Sequence, residues 1–138
     1  MWEVHLTADA EVDGVVVRRN TRTAFQVAVP TARFNGDVDI NANRDSVFAS
    51  LGVDVAEAGR YEARAILFAT DKAGEMRPVS VAHQATVIEA GNGILELEFD
   101  FASIEAAGLA APYELRDLRL IHQNSMSILH RQKSAVKF

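Results

Sequence analysis

The sequence predicts an all-β chain whose strands pack as two antiparallel sheets, with almost no helix. Apolar and polar residues alternate with a period of two in many short segments, as in strands that are buried on one face. Turn-forming Gly, Asn and Asp residues separate these segments. The segments number about eight to ten, and strands so numerous and so closely spaced favour a sandwich or a barrel.

Three strands are predicted before the first proline, at residues 2–7, 12–19 and 24–29. The third ends at Pro30, which has no amide hydrogen to donate to a strand ladder. Trp2, the single tryptophan, lies in the first of these strands. We expect it to pack against a neighbouring strand or an upstream domain; the alternative is an exposed aromatic anchor for a sugar or a partner protein.

The middle of the chain predicts three further strands, at residues 32–41, 47–55 and 60–70. A polar stretch at residues 41–46 separates the first two, because its Asn and Asp side chains favour a turn. Residues 60–70 carry apolar side chains on both parities, as in a strand that lies between two layers. We therefore place this strand centrally.

The last part of the chain predicts four strands and one helical turn. The strands are expected at residues 77–88, 95–101, 113–122 and 126–131, and the helical turn at Ala102–Ala107, where it crosses between the layers. The clearest strand alternates Leu95, Leu97, Phe99 and Phe101 with Glu96, Glu98 and Asp100, so one face enters a core. In order, the elements predict a single immunoglobulin-like antiparallel β-sandwich domain over residues 1–138.

Composition restricts the classes of function. Fourteen basic and nineteen acidic residues give a formal net charge of −5, which opposes general attraction to nucleic acid or to anionic membranes. The absence of cysteine excludes disulfides, thiolate metal sites and thiol nucleophiles. No apolar run approaches the roughly 20 residues that cross a bilayer. Because Met1 is followed at once by a predicted strand, we expect a module excised from a longer protein, with any export signal upstream.

One polar stretch has the oxygen ligands that calcium prefers, at every second position, as at the start of a calcium loop. A helix-loop-helix site requires Gly where Ala42 stands and Glu where Phe48 stands, so an irregular loop is the calcium alternative. The other interpretation is the solvent face of an edge strand, which polar residues protect from pairing with other chains. The candidate residues are Asp37, Asp39, Asn41, Asn43 and Asp45.

The sequence predicts no group of catalytic residues with a suitable arrangement. The Gly-x-Ser-x-Gly elbow does not occur, and Ser80 and His83 face opposite sides of a predicted strand because they are three residues apart. The carboxylates at positions 96, 98 and 100 share one solvated face, with no apolar pocket to raise a pKa. We predict that the protein is not an enzyme, with no catalytic residue and no cofactor.

The histidines are interpreted as structural residues rather than as metal ligands. In the last predicted hairpin, His122 lies opposite Met126 and His130 lies opposite Leu118. This register separates the two imidazoles by about 13 Å, which is too far for them to share one metal ion. The full set is His5, His83, His122 and His130.

Two tyrosines, Tyr61 and Tyr113, are candidates for a structural hydroxyl. In immunoglobulin-like folds a tyrosine pins a corner through a hydrogen bond from its hydroxyl to the backbone. Either residue would contribute stability rather than function.

Three segments carry a resemblance to a known family. The stretch GRYEARAILFATDKAGEMRPVSVAH at residues 59–83 is followed by the strand GNGILELEFD and by APYELRDLRLIHQ. Together they resemble the C-terminal immunoglobulin-like module of an uncharacterised family of exported bacterial proteins. The resemblance covers residues 59–133, and VPTARF at residues 29–34 fits the N-terminal half of the module. More loosely, the chain is similar to β-sandwich accessory domains of bacterial surface and secreted proteins.

The resemblance implies a fold and an exported multidomain parent in the periplasm or outside the cell, with no functional residues to transfer. We therefore predict a non-catalytic structural or protein-interaction module. Its expected partners are other domains of the parent chain or a separate protein, without nucleic acid and without a membrane span. The alternative is a carbohydrate- or calcium-binding β-sandwich.

Overall fold

The computed structural model describes residues 2–25 and 27–138, and it confirms an all-β chain with one short helix. The described residues form nine strands, within the predicted number. The elements are β1 (Trp2–Val12), β2 (Val15–Phe25), β3 (Ala32–Ala42), β4 (Ser46–Val55), β5 (Gly59–Thr70), β6 (Met76–Ile88), β7 (Gly91–Asp100), α1 (Phe101–Ala106), β8 (Ala110–His122) and β9 (Ser127–Lys137).

The strands are divided among three antiparallel sheets. Strands β3, β4 and β7 form one sheet in the order β3-β4-β7, and a second sheet has the order β6-β5-β8-β9. These two sheets pack as the sandwich, while β1 and β2 form a separate two-stranded sheet. The chain crosses between the layers three times, and α1 lies in the last crossing, as predicted. Within residues 2–25 and 27–138, no helix is long and apolar enough to span a lipid bilayer.

The core of the sandwich lies between the inward rows of the two sheets. In β7, Leu95, Leu97 and Phe99 are buried while Glu96 and Glu98 are exposed, so the predicted alternation is confirmed as far as Asp100. Phe101, which was predicted in this strand, begins α1 instead. In β5 the inward row from Tyr61 to Ala69 is completely buried, and the strand lies in the interior of its sheet, as predicted. Each fully buried Leu or Phe side chain stabilises the fold by about 1.5–3 kcal/mol relative to exposure. The sandwich therefore has a hydrophobic core of its own.

The N-terminal prediction of three strands before Pro30 is wrong. Two long strands stand there instead, joined by a two-residue turn at Asp13 and Gly14. Both turn residues have positive φ, 53° and 77°, as a type I′ hairpin requires. The predicted third strand divides: its first two residues belong to β2, Gln26 lies outside the described residues, and residues 27–29 are not in a strand.

The predicted register of the last hairpin is also wrong. His122 pairs with Ser127 rather than Met126, and His130 pairs with Leu120 rather than Leu118. The ladder shifts between Leu120 and Ile121, and such an irregularity inserts a residue without any mark in the apolar pattern.

Tyr61 fixes the corner where the chain passes from β4 to β5. Its side chain is fully buried, and its hydroxyl donates to the backbone oxygen of Glu57 at 2.6 Å. The same hydroxyl lies 3.1 Å from Oγ1 of Thr31, at the start of the sandwich. Tyr113 is only half-buried, and its ring packs against Phe138, with 5.5 Å between the ring centroids. Tyr61 is therefore the tyrosine that holds a corner, as one of the two predicted candidates.

Replacement of Tyr61 by Phe should lower the free energy of unfolding by about 1–2 kcal/mol, because a buried hydroxyl with backbone and side-chain partners is removed. Urea denaturation measures this loss. Tyr113→Phe is the matched control, since no hydrogen bond of its hydroxyl is found among residues 2–25 and 27–138. Equal losses for the two variants would contradict a corner role for Tyr61.

Glu114 is the most buried carboxylate on the outer face of the four-stranded sheet, with a side chain only 4% exposed. Arg116 donates to it at 2.7 Å, and the hydroxyl of Ser134 donates to its other oxygen. The guanidinium of Arg116 also lies 4.5 Å from the ring centroid of Phe68. The Arg116 bond, followed by the Ser134 bond, holds the pKa of Glu114 below its usual value of about 4.5.

Because the pKa of Glu114 is lower in the folded than in the unfolded state, its ionised form stabilises the fold above about pH 4.5. That contribution disappears as the pH falls through the folded-state pKa. Glu114→Gln should therefore lower the melting temperature by a few degrees at pH 7, and the gap should close as the pH approaches 3. Melting curves from pH 7 to pH 3 test this.

Glu105→Gln provides the control, because Glu105 is exposed in α1 and forms no ion pair in the part of the chain that the structure describes. We expect its melting temperature at pH 7 to equal that of the parent chain. A Glu114→Gln gap that stays constant down to pH 3 would count against a folded-state role for the ionised carboxylate.

Candidate functional site

The β1–β2 hairpin presents one mainly apolar face, which is exposed in the part of the chain that the structure describes. Alternate residues of β1 point to this face, and their partners across the ladder come from alternate residues of β2. Every described hairpin residue is exposed except Val17, which is half-buried. We call this surface the hairpin face; it consists of Trp2, Val4, Leu6, Ala8, Ala10 and Val12 of β1 with Val15, Val17, Arg19, Thr21, Thr23 and Phe25 of β2.

The turn sets the register that assembles this face. The Asp13–Gly14 turn places Val12 opposite Val15, and the ladder then continues without a shift to the pair of Trp2 and Phe25. Because side chains alternate with a period of two, a slip of one residue would mix the apolar row of β1 with charged residues of β2. A regular ladder of eleven pairs therefore keeps the apolar side chains together.

The opposite face of the hairpin is mainly polar, with Val16 as its one large exposed apolar residue, and several of its charged side chains are paired with each other. Arg18 donates to both carboxylate oxygens of Asp9, at 2.7 and 2.9 Å. This bond lowers the pKa of Asp9 and raises the pKa of Arg18, so both groups stay charged. His5 and Glu3 lie 3.1 Å apart on the same face. The hairpin is thus amphipathic, because only its polar face is well suited to contact with water.

Exposed apolar area is concentrated in the N-terminal part of the chain. Nine of the fourteen large exposed hydrophobic residues of the described chain lie before Pro30. Trp2 is 65% exposed and Leu6 is 57% exposed, and no residue of β1 or β2 belongs to the sandwich core. A contiguous exposed apolar patch marks an interaction site more often than a scattered set does. An isolated two-stranded hairpin is also only marginally stable in water. The hairpin face therefore has the properties of a contact surface.

The predicted calcium residues lie along β3 and the turn that follows it. Asp37 stands in a bulge of β3, between Phe34 and Val38, and its amide donates to Oδ1 of Asn35. Asp39 and Asn41 are exposed, and their side chains are hydrogen-bonded to each other. Asp45 lies in the β3–β4 turn, where its amide donates to Oδ1 of Asn43.

No three carboxylate or histidine side chains converge on a metal position anywhere in residues 2–25 and 27–138. From the same strand, Val38 and Ile40 pack against the core while Asp39 and Asn41 face water. The edge-strand interpretation accounts for this alternation, because β3 is the edge of its sheet. The calcium alternative therefore depends on the sequence pattern alone.

Two of the four histidines contact aromatic rings of the core. The His122 ring stacks on Tyr61 with 5.2 Å between centroids, and its Nδ1 lies 3.1 Å from Oγ of Ser125. The His130 ring lies 5.6 Å from that of Phe34, and its Nδ1 accepts the Phe34 amide. Both contacts agree with the structural interpretation of these residues.

Of the other polar candidates, Ser80 faces inward, whereas His83, Glu96 and Glu98 line one open cleft between β6 and β7. Ser80 pairs with Leu67 on the inward side of β6, whereas His83 pairs with Arg64 on the outward side. Glu96 accepts from Ser50 at 3.2 Å, and Glu98 accepts from Ser46 at 2.8 Å. The geometry confirms that Ser80 and His83 face opposite ways.

Most of the hairpin face was missed by the sequence reasoning. The prediction of separate strands at residues 2–7 and 12–19 divided one hairpin at the wrong place, so the alternating row was cut after Thr7. The Asp13–Gly14 dipeptide between two alternating runs is a strong hairpin signal, and it identifies the whole face when it is used. Trp2 is exposed, so it does not pack against a neighbouring strand of this chain as one form of the prediction had it. The other form, packing against an upstream domain, stays a prediction.

Solved structures similar to the chain include the following two. A DUF4785 family protein from Legionella pneumophila has 26% identity and a TM-score of 0.74, over 99% of this chain and 36% of that chain. Beta-glucosidase 3B from Thermotoga neapolitana, in complex with glucose, has 13% identity and a TM-score of 0.43, over 83% of this chain and 17% of that chain. The second likeness is too low to support an argument. No curated protein matches the chain.

The chain thus spans about a third of the Legionella protein. A family profile described as "Domain of unknown function (DUF4785) C-terminal domain" matches residues 31–138, from the residue before β3 to the end of the sequence. This match confirms the resemblance to the C-terminal module of an uncharacterised family. The chain belongs to the DUF4785 family, and its sandwich is the C-terminal domain of that family.

Proposed function

We propose that this chain is a non-catalytic structural and interaction module, which joins parts of a longer bacterial protein through protein contacts. The observation that carries the proposal is the hairpin face, an apolar surface with Trp2 and Leu6 more than half exposed. Covering a large apolar side chain is worth about 1.5–3 kcal/mol, so a partner that covered several would gain appreciable free energy. The family assignment supports a role inside a longer protein, because the matched domain is a C-terminal one.

The proposal includes an immunoglobulin-like fold for the sandwich. Immunoglobulin-like domains divide about seven strands between two antiparallel sheets, and here the division is three and four. The Tyr61 hydroxyl bonds to a backbone oxygen four residues upstream, as a corner tyrosine does, although at the β4–β5 connection. The central pair of β5 and β8 in the larger sheet also supports this assignment.

We extend the proposal to an exported protein, in the periplasm or outside the cell. Its support is the resemblance of residues 59–133 to modules of exported bacterial proteins. The absence of cysteine is compatible with either compartment, because a core of this size is stable without disulfides.

Cysteine labelling tests whether the hairpin face is covered in the native protein. The chain has no cysteine, so Leu6→Cys reports on the hairpin face and Thr7→Cys reports on the polar face of the same strand. Both positions should react rapidly with a maleimide in the purified 138-residue chain. In the parent protein inside its native cell, Leu6→Cys should react at least about tenfold more slowly, since a covered site reacts only when it opens.

Thr7→Cys should keep its rate in both settings, which controls for access of the reagent. Mass spectrometry of the peptide at residues 2–12 reads the labelling at each position. Equal rates for Leu6→Cys in the isolated chain and in the native protein would show an uncovered face and would contradict the proposed function.

The alternative function is carbohydrate or calcium binding, and one observation favours a sugar platform. Trp2 and Phe25 are paired across the hairpin and both are exposed, so their rings are available to a flat ligand. Because Trp2 is the single tryptophan, its fluorescence reports directly on this position. The interaction role gives no reason for a small ligand to bind there.

Titration with calcium and with a panel of neutral oligosaccharides should leave the Trp2 emission and the melting temperature unchanged. A ligand at 100 times its dissociation constant would stabilise the fold by about 2.7 kcal/mol, which a melting curve detects readily. A saturable change in Trp2 emission with a sugar, or a rise in melting temperature with calcium, would replace the interaction role by the corresponding alternative.

A further inference from the structure

We propose that the β1–β2 hairpin belongs structurally to the domain that precedes the sandwich in the full-length protein, and that the hairpin face packs on an apolar sheet of that domain. The inference depends on the proposed function, because it names the partner of the same surface. Four observations carry it: the boundary in the fold, the extent of the family match, the asymmetry of the hairpin, and the area of its face.

The fold has a boundary between the hairpin and the sandwich. Among the described residues, β1 and β2 pair with each other and with none of β3 to β9. Burial begins abruptly at Ala32, which is 4% exposed, whereas Val27 and Val29 in the connection are exposed. No residue of β1 or β2 therefore belongs to the sandwich core, although the hairpin is part of the same chain.

The family match has the same boundary. The C-terminal domain profile begins at residue 31, so it excludes the hairpin and includes the whole sandwich. The Legionella relative nevertheless aligns with 99% of this chain, which includes the hairpin, and has most of its length outside the alignment. In a protein whose last domain is this sandwich, the remaining chain precedes it, on the side where the hairpin lies. A preceding domain is therefore available to cover the hairpin face.

The two strands of the hairpin differ in the apolar character of their rows. All six residues of β1 on the hairpin face are apolar, from Trp2 to Val12. The middle of the β2 row is polar, because Arg19, Thr21 and Thr23 stand there. A charged side chain on the inward face of a strand is a typical feature of an edge strand. We therefore place β1 on the inner side of the assembly that the hairpin forms with the preceding domain, and β2 at the edge of that assembly.

A second copy of the chain is a weaker fit to this surface. Eleven residues at about 3.3 Å each give a length of about 36 Å, and two strands give a width of about 10 Å. Two such faces together cover about 700 Å². The uneven surface of the side chains adds to this area. The total buried area still remains at or below the low end of the roughly 1,200–2,000 Å² that stable specific complexes bury.

A domain of the same chain avoids this difficulty. The two surfaces are tethered, so their contact does not pay the translational and rotational cost of association. A short flexible tether between two surfaces gives an effective concentration in the millimolar range. A face too small for a stable dimer is therefore large enough for a contact within one chain.

Hydrogen exchange on purified proteins tests this partner directly. The peptide at residues 2–12 is compared between the 138-residue chain and the full-length parent protein, both dilute and shown to be monomeric by light scattering. We expect the β1 amides of the full-length monomer to exchange roughly 100-fold more slowly than those of the 138-residue chain. Peptides from β4 and β8 should exchange equally in both proteins, which controls for the integrity of the sandwich.

A matched pair of variants in the full-length protein adds a second readout. Leu6→Asp places a charge on the hairpin face and should remove the protection of β1, while Thr7→Asp places the same charge on the polar face and should retain it. The β4 and β8 peptides show in each case that the sandwich is still folded.

The outcomes separate this inference from the proposed function. Fast β1 exchange in the full-length monomer overturns the inference. If protection and a doubled mass then appear together at higher concentration, a second copy is the partner and the proposed function stands. If the face is unprotected here and Leu6→Cys is also freely labelled in cells, both proposals fail. A parent gene without a preceding domain also overturns the inference.

Discussion

The contact between the inward rows of the two sheets is the interaction on which the sandwich depends. Leu51 in β4 and Leu97 in β7 supply one side of this core, and Leu67 in β5 and Leu120 in β8 supply the other. All four are buried almost completely, so each contributes near the upper end of the usual range for an apolar side chain. Because these rows come from strands far apart in sequence, the fold forms only when both sheets are present. The hairpin contributes nothing to this contact, and the sandwich is complete without it.

The outer face of the larger sheet carries paired charged side chains that suit contact with water. Asp117 binds both Arg119 and Arg131, and Glu114 binds Arg116, so charged groups of opposite sign alternate there. The two pairs of Asp117 are more exposed than the pair of Glu114 and contribute little stability, but their charges keep this face hydrated. The hairpin face has the opposite composition, with an unbroken apolar row on β1. Such a difference between two exposed surfaces of one chain is a physical reason to assign a contact to one of them.

The strands of the sandwich could be predicted because their apolar periodicity is set by the core they face. The alternation in β7 and the central place of β5 follow directly from that periodicity. The errors occurred where the backbone departs from it: at the Asp13–Gly14 turn and at the shift between Leu120 and Ile121. A bulge adds one residue to a ladder, so it changes the register without changing which residue types are buried. Pairing partners such as those of His122 and His130 therefore cannot be read from the pattern.

The exposure of the hairpin face could not be predicted from the sequence pattern either. The alternation of Trp2, Val4 and Leu6 indicates that one face of β1 is buried, but it is the same whether the covering surface comes from the same domain or from another. Only the topology distinguishes these cases, because it leaves the hairpin without a second sheet layer.

The connection between the hairpin and the sandwich gives the contact a mechanical consequence. Thr31 is held on the sandwich side, because its backbone oxygen accepts the Ala56 amide at 2.8 Å and its hydroxyl lies beside that of Tyr61. On the other side, Phe25 is held in the ladder opposite Trp2. Six residue steps separate these two anchored points and span at most about 20 Å. Packing of the hairpin on a preceding domain would therefore also restrict where the whole sandwich can lie. Tyr61, whose buried hydroxyl lies beside that of Thr31, therefore helps to hold the sandwich end of this connection.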